Sequence, residues 1–117
     1  MSGNSTSGRS LPIKRISVDD MRQRFNSGGY YENVQSGRWS AHTLESRISD
    51  ALTEETVQIT SVMLSYRDEN GDEMARVHQY QRPDGSLAAS GKPDPKRLVQ
   101  DGVLYRLNKS LKSGANI

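Results

Sequence analysis

At 117 residues, with 32% hydrophobic residues and no cysteine, the chain can bury one modest core and excludes a disulfide framework, a thiolate zinc site and a cysteine nucleophile. The net charge of +2 is unevenly spread: Arg9, Lys14 and Arg15 make the start basic, Lys96, Arg97, Arg106, Lys109 and Lys112 make the end basic, and the stretch between is net acidic. Basic ends of this kind either contact phosphate or an acidic partner, or simply solubilise.

Residues 1–11 are Ser/Gly-rich and without periodicity, and read as a disordered tail ahead of a single α+β domain over 12–107. Neither an apolar signal block nor a bilayer-length span follows, so the expectation is a cytoplasmic protein without membrane contact. Ser17 and Asp20 form a capping-box variant, and Val18, Met21 and Phe25 recur at helical spacing up to Gly28-Gly29. This spacing predicts a helix over 18–27. Tyr30-Tyr31 through Trp39 read as a turn-rich connector whose aromatics either plug the core or form a patch for a partner. Tyr30, Tyr31 and Trp39 are therefore the partner-binding candidates.

Ala41, Leu44, Ile48, Ala51 and Leu52 lie at three- and four-residue steps behind Ser40, which predicts a second helix over 40–52. From Thr56 the period changes to two, and Asn70-Gly71 marks a β-hairpin, because this dipeptide tolerates positive φ at both central positions. A second turn at Pro83-Asp84-Gly85-Ser86 leads to a short strand over 87–89. Asp94-Pro95 reads as a cap followed by Pro at the first helical position, which predicts a short helix over 94–100 ended by Asp101-Gly102. Val103 to Leu107 reads as a last strand and 108–117 as a basic tail. The expected fold is α+β: a small antiparallel sheet of three to four strands around the Asn70-Gly71 hairpin, packed on N-terminal helices, with a short C-terminal helix.

A two-residue turn at Asn70-Gly71 assigns each hairpin side chain to a face. One face, with Leu64 opposite Val77, Tyr66 opposite Ala75 and Val62 opposite Gln79, is suited to the core. The other sets Met63 opposite His78, Ser65 opposite Arg76, Arg67 opposite Met74 and Ser61 opposite Tyr80, and so gathers Arg67, Arg76, His78 and Tyr80. Such a face is either the wet outer side of a sheet or a nucleic-acid surface, with guanidinium for phosphate and rings for bases. Its enzymatic extreme is a metal-independent ribonuclease with His78 as acid or base and Arg76 and Arg67 as the electrostatic clamp. A second proton-transfer group is not identified: Glu69 and Glu73 lie near the turn and His42 on the expected second helix.

Ser90, Gly91 and Lys92 precede the expected helix at Asp94, where free N–H groups attract anions, although Asp94 as cap competes for the same donors. A phosphate-binding loop is excluded, since five residues separate Gly85 from Gly91 and Pro93 follows Lys92. The acidic run Asp68 to Glu73 lacks the calcium-loop spacing. Two histidines without a helical pair or Cys/His cluster give no metal site, and no GxSxG turn presents a serine nucleophile. No cofactor is implied. The leading functional expectation is a small non-enzymatic binding or regulatory module engaging a protein partner, including a second copy of itself. The alternative is an RNA- or DNA-binding protein, or a ribonuclease, using the polar hairpin face.

Overall fold

The computed structural model describes residues 10–48, 58–88 and 91–108. The terminal tails up to residue 9 and from 109, the distal part of the expected second helix (49–52), the first residues of the expected strand run (56–57), and Ala89 and Ser90 lie outside them. The elements in chain order are β1 (Ile13–Ile16), α1 (Val18–Ser27), α2 (Tyr30–Gln35), β2 (Ser40–Ile48), β3 (Thr60–Arg67), β4 (Glu73–Gln81), β5 (Asp94–Gln100) and β6 (Val103–Leu107). They build a six-stranded mixed sheet in the order β1-β6-β5-β4-β3-β2. β1 runs parallel to β6, and every other pair is antiparallel. This overturns the expected three- to four-stranded sheet on N-terminal helices, because two segments expected as helices, β2 and β5, are strands.

α1 forms where the sequence places it. Ser17 caps it by accepting from the Asp20 N–H, and the Gly28 N–H closes the far end on the Arg24 carbonyl. Gly29 then takes positive φ and starts α2, so the expected connector contains a second short helix. The chain leaves β1 at one edge and must reach β2 at the other, a width of about 24 Å at ordinary strand spacing. α1 and α2 supply about 15 and about 9 Å of helix for this crossing, and α1 packs on β5 and β6. The helices therefore cover one face of the sheet.

The core lies under them: Met21 and Phe25 of α1 and Tyr30 of α2 meet Val62, Leu64, Tyr66, Ala75, Val77, Leu98 and Tyr105 of the strands. Burying a side chain such as Phe25 contributes about 1.5–3 kcal/mol. Arg24 completes the contact at the helix surface, its guanidinium 4.2 Å from the Tyr105 ring centroid and its Nη1 donating to Gln100 Oε1 at 2.8 Å.

The hairpin register holds from Thr60 opposite Gln81 to Tyr66 opposite Ala75, so Leu64 faces Val77 and Met63 faces His78 as expected. Its tip differs. The Gly71 N–H bonds the Asp68 carbonyl and the Asp68 N–H bonds the Asp72 carbonyl, with positive φ at Gly71 but not at Asn70. This is a three-residue loop with a glycine in the left-handed region. The extra residue shifts the register after Tyr66, and Arg67 lies opposite Glu73 rather than Met74.

The expected helix over 40–52 is strand β2 for its described part, and all nine of its residues are exposed. Its apolar positions were spaced for a helix, yet a register shift between Thr43 and Glu45 interrupts strict alternation and hides the strand period. The expected helix over 94–100 is strand β5, held on both sides by β4 and β6. Pro95 lies at the register shift of the β4–β5 pair, where a sheet tolerates a residue without an N–H. Asp101-Gly102, taken as a helix end, is the turn joining β5 to β6. Both residues have positive φ between the paired Gln100 and Val103, the conformation of a two-residue type I′ hairpin. The expected strand over 87–89 reduces, in its described part, to one bridge between Gln81 and Leu87.

Candidate functional site

The face of the sheet away from the helices has no layer over it among the described elements. Tyr105 and Ile16 point to the core, so their neighbours Arg106 and Arg15 point to this open face. The registers then align one residue from every strand: His42 of β2 opposite Ser65, Ser65 opposite Arg76, Arg76 opposite Arg97, Arg97 opposite Arg106 and Arg106 opposite Arg15. Four arginines occupy adjacent strands of one row, spanning about 14 Å. Like charges directly opposite one another are unfavourable in a sheet, so this row demands a counter-charge.

Glu73 supplies part of it. Arg76 donates to the Glu73 carboxylate from Nε and Nη2, both at 3.1 Å, and Arg97 Nη2 lies 3.3 Å from Glu73 Oε1. Among the described residues, Glu73 is the one carboxylate ion-paired with the row. Arg97 Nε is buried without a hydrogen-bond acceptor. Arg67 lies beside the row, donating from Nε to Ser65 Oγ at 3.2 Å, and Ser65 is fully buried under these long side chains.

Two different surfaces flank the arginines. Towards one end of the strands, His78 and Tyr80 meet edge to face with ring centroids 4.6 Å apart. Towards the other, Ile13, Leu104 and Val99 lie opposite one another on β1, β6 and β5. Of the expected site residues, Arg67, Arg76, His78 and Tyr80 do share this face. Arg15, Arg97 and Arg106 also belong to it and were missed, because β5 read as a helix and the parallel β1–β6 pairing has no local signature. The alternation Leu104-Tyr105-Arg106 was the available signal.

His78 Nε2 lies 2.6 Å from Ser61 Oγ, in a small pocket also lined by Glu45, Arg47 and Met63. Burial, then the charge of Lys96, pulls the His78 imidazole below its ordinary range against an opposing pull from Asp94, with Arg47 adding to the depression. A neutral imidazole against a hydroxyl is the geometry of a base and a nucleophile. An acyl-transfer reading also requires converging N–H donors for an oxyanion, whereas Ser61 and His78 lie on paired strands whose backbone groups serve the ladder. His42 does not complete a pair of proton-transfer groups with His78. It stands two strands away, about 12 Å between Cα atoms when the two-residue offset is included, and its Nε2 contacts Ser40 Oγ at 2.9 Å.

The other candidates fall elsewhere. Tyr30 is buried, stacks on Phe25 with centroids 5.7 Å apart, and donates from its hydroxyl to the Val99 carbonyl at 2.5 Å. Burial first, then Asp101, pushes this hydroxyl up to about 12, so it remains a donor. Trp39 meets the Tyr30 ring edge-on at 5.5 Å, and Tyr31 packs partly buried against the same core. The anion site expected at Ser90, Gly91 and Lys92 rested on a helix starting at Asp94, where the structure has strand β5, and Ser90 itself lies outside the described residues. Lys92 instead lines a pocket with Arg22, Asn26, Pro93, Asp94 and Pro95, where Asp94 is ion-paired with Lys96 at 3.0 Å and Arg22 at 3.7 Å. Glu69 is engaged by Arg38 at 2.8 Å.

Among the described residues, no group of three or more His, Asp or Glu side chains could hold a metal ion, and no helix is long and apolar enough to cross a membrane. Comparison with known protein families, curated proteins and solved structures found no match.

Proposed function

We propose that the protein is a non-enzymatic binding module that takes single-stranded nucleic acid across the open face of its sheet. The observation that carries this reading is the row Arg76, Arg97, Arg106 and Arg15 on four adjacent strands, with Glu73 as its ion-paired carboxylate. A sheet places such charges in one row at a cost, and a phosphate backbone laid along it supplies the missing negative charge. Arginine suits that role because its planar fork pairs with two phosphate oxygens at once. Tyr80 and the apolar strip of Ile13, Leu104 and Val99 lie on either side of the row, where the faces of unpaired bases can rest. The other histidine, His42, stands two strands from His78, which favours binding over cleavage by a histidine pair.

Fluorescence anisotropy with labelled single-stranded RNA and with duplex DNA, at low and at elevated salt, tests the reading. Single-stranded RNA should bind at low salt, weaken as salt rises and remain uncut, with duplex DNA binding less well. Arg97→Ala and Arg106→Ala should each lower the salt slope by about 1, and Tyr80→Ala should weaken binding by about 1–3 kcal/mol. No binding to RNA at low salt, or binding that ignores salt, overturns the proposal.

A further inference from the structure

We infer that two copies of the chain pair through β2, antiparallel and centred on Ser46, joining their sheets edge to edge. Among the described residues β2 ends the sheet, and all nine of its residues are exposed. Among the described residues the exposed large hydrophobics are Ile13, Val18, Leu44 and Ile48, and the last two lie on this edge, 43% and 60% exposed. A long edge of this kind presents unpaired N–H and C=O groups to another strand.

The hydrogen-bond phase identifies which residues present them. The Tyr80 carbonyl accepts from the Ala88 N–H, on the side away from β3. Alternation then turns the polar groups of Gln79 towards β3, those of Ser61 and Met63 towards β2, and those of their partners Arg47 and Glu45 back to β3. Ser46 and Ile48 are left with N–H and C=O facing outwards.

A two-fold pairing is self-complementary, each residue i of one copy meeting j of the other and the reverse. Centred on Ser46, it sets Ser46 against Ser46, so the outward groups of the two serines bond each other. Glu45 of each copy then faces Arg47 of the other on the open face, and Leu44 faces Ile48 on the opposite face. Opposite charges and exposed apolar side chains are thus matched on either side of the central Ser46 pair. Centring on Glu45 or on Arg47 instead sets like charges face to face. The other edge, β1, is four residues long and carries Lys14 and Arg15, a short cationic strand of the kind that resists pairing. The pairing therefore closes at a dimer, and both open faces lie on the same side of the joined sheet.

Velocity sedimentation of the full chain over a range of concentrations tests this directly. The unmodified protein should shift from monomer to dimer as concentration rises. Glu45→Arg and Arg47→Glu should each sediment as monomers, because each makes like charges meet, and their equimolar mixture should recover the dimer. Ser46→Pro should also abolish the dimer while circular dichroism stays native, since the N–H it removes points away from β3. A wild-type chain that remains monomeric throughout overturns the inference. So does a dimer that persists in both charge variants.

Discussion

His78 links the chemistry of one side chain to the stability of the fold. Burial and the nearby Lys96 hold its imidazole below the ordinary range, with the Ser61 hydroxyl at Nε2. In the unfolded chain the same imidazole titrates near its usual value of about 6.5. Between the folded and unfolded values the unfolded state binds more protons, so stability rises with pH there and falls as pH drops. His78 therefore contributes fully above about pH 6.5 and progressively less as pH descends to its folded value. NMR titration should place the His78 midpoint below that of a model peptide. Urea unfolding at neutral pH and at mildly acidic pH should show a loss of stability on acidification that His78→Gln reduces. An unshifted His78 midpoint, or an acid sensitivity unchanged in the variant, contradicts this account of the site.

At the scale of elements, the turn between β5 and β6 decides whether the arginine row exists, because it sets Arg97 opposite Arg106. Asp101 has φ +53° and Gly102 has φ +77°. A side chain with a Cβ in that region costs about 1–2 kcal/mol, and Asn tolerates it better than most residues. Gly102→Ala should therefore destabilise the protein by about 1–2 kcal/mol in denaturant unfolding, whereas Asp101→Asn should be close to neutral. Equal stability of Gly102→Ala and the parent would refute the turn assignment.

The same element shows how much of the fold was legible. Asp-Gly between two apolar runs is a hairpin signal of the same class as Asn70-Gly71. It was eclipsed by Asp94-Pro95, whose capping pattern points to a helix. α1 was legible because cap, apolar spacing and glycine stop agree, and β3 and β4 because β-branched density and a glycine turn agree. β2 was not, because Ala41, Leu44 and Ile48 carry a helical spacing that describes no buried face. Its strand state comes from the edge that β3 offers it, a tertiary cause absent from the local sequence. The site was half legible for the same reason. The hairpin disclosed Arg67, Arg76, His78 and Tyr80, whereas Arg15, Arg97 and Arg106 required the pairing of strands distant in sequence.

Across the whole molecule, the proposed use of the arginine row would set stability against binding, and that opposition would separate a surface kept for a ligand from the ordinary wet side of a sheet. Arg106 stands between Arg97 and Arg15, with like charge directly opposite on both sides. Each such opposition is unfavourable by up to about 1 kcal/mol, and the repulsion weakens as salt screens it. Replacing Arg106 by Gln keeps much of the aliphatic stem that lies on the sheet and removes the charge. The ligand-free protein should gain about 0.2–1 kcal/mol at low salt, and the gain should shrink at high salt. The same variant should bind single-stranded RNA more weakly with a shallower salt dependence. Denaturant unfolding and anisotropy on one preparation measure both quantities. A purely structural arginine gives the opposite pair of results, with stability lost and binding unchanged, because its guanidinium would then serve the fold rather than a phosphate.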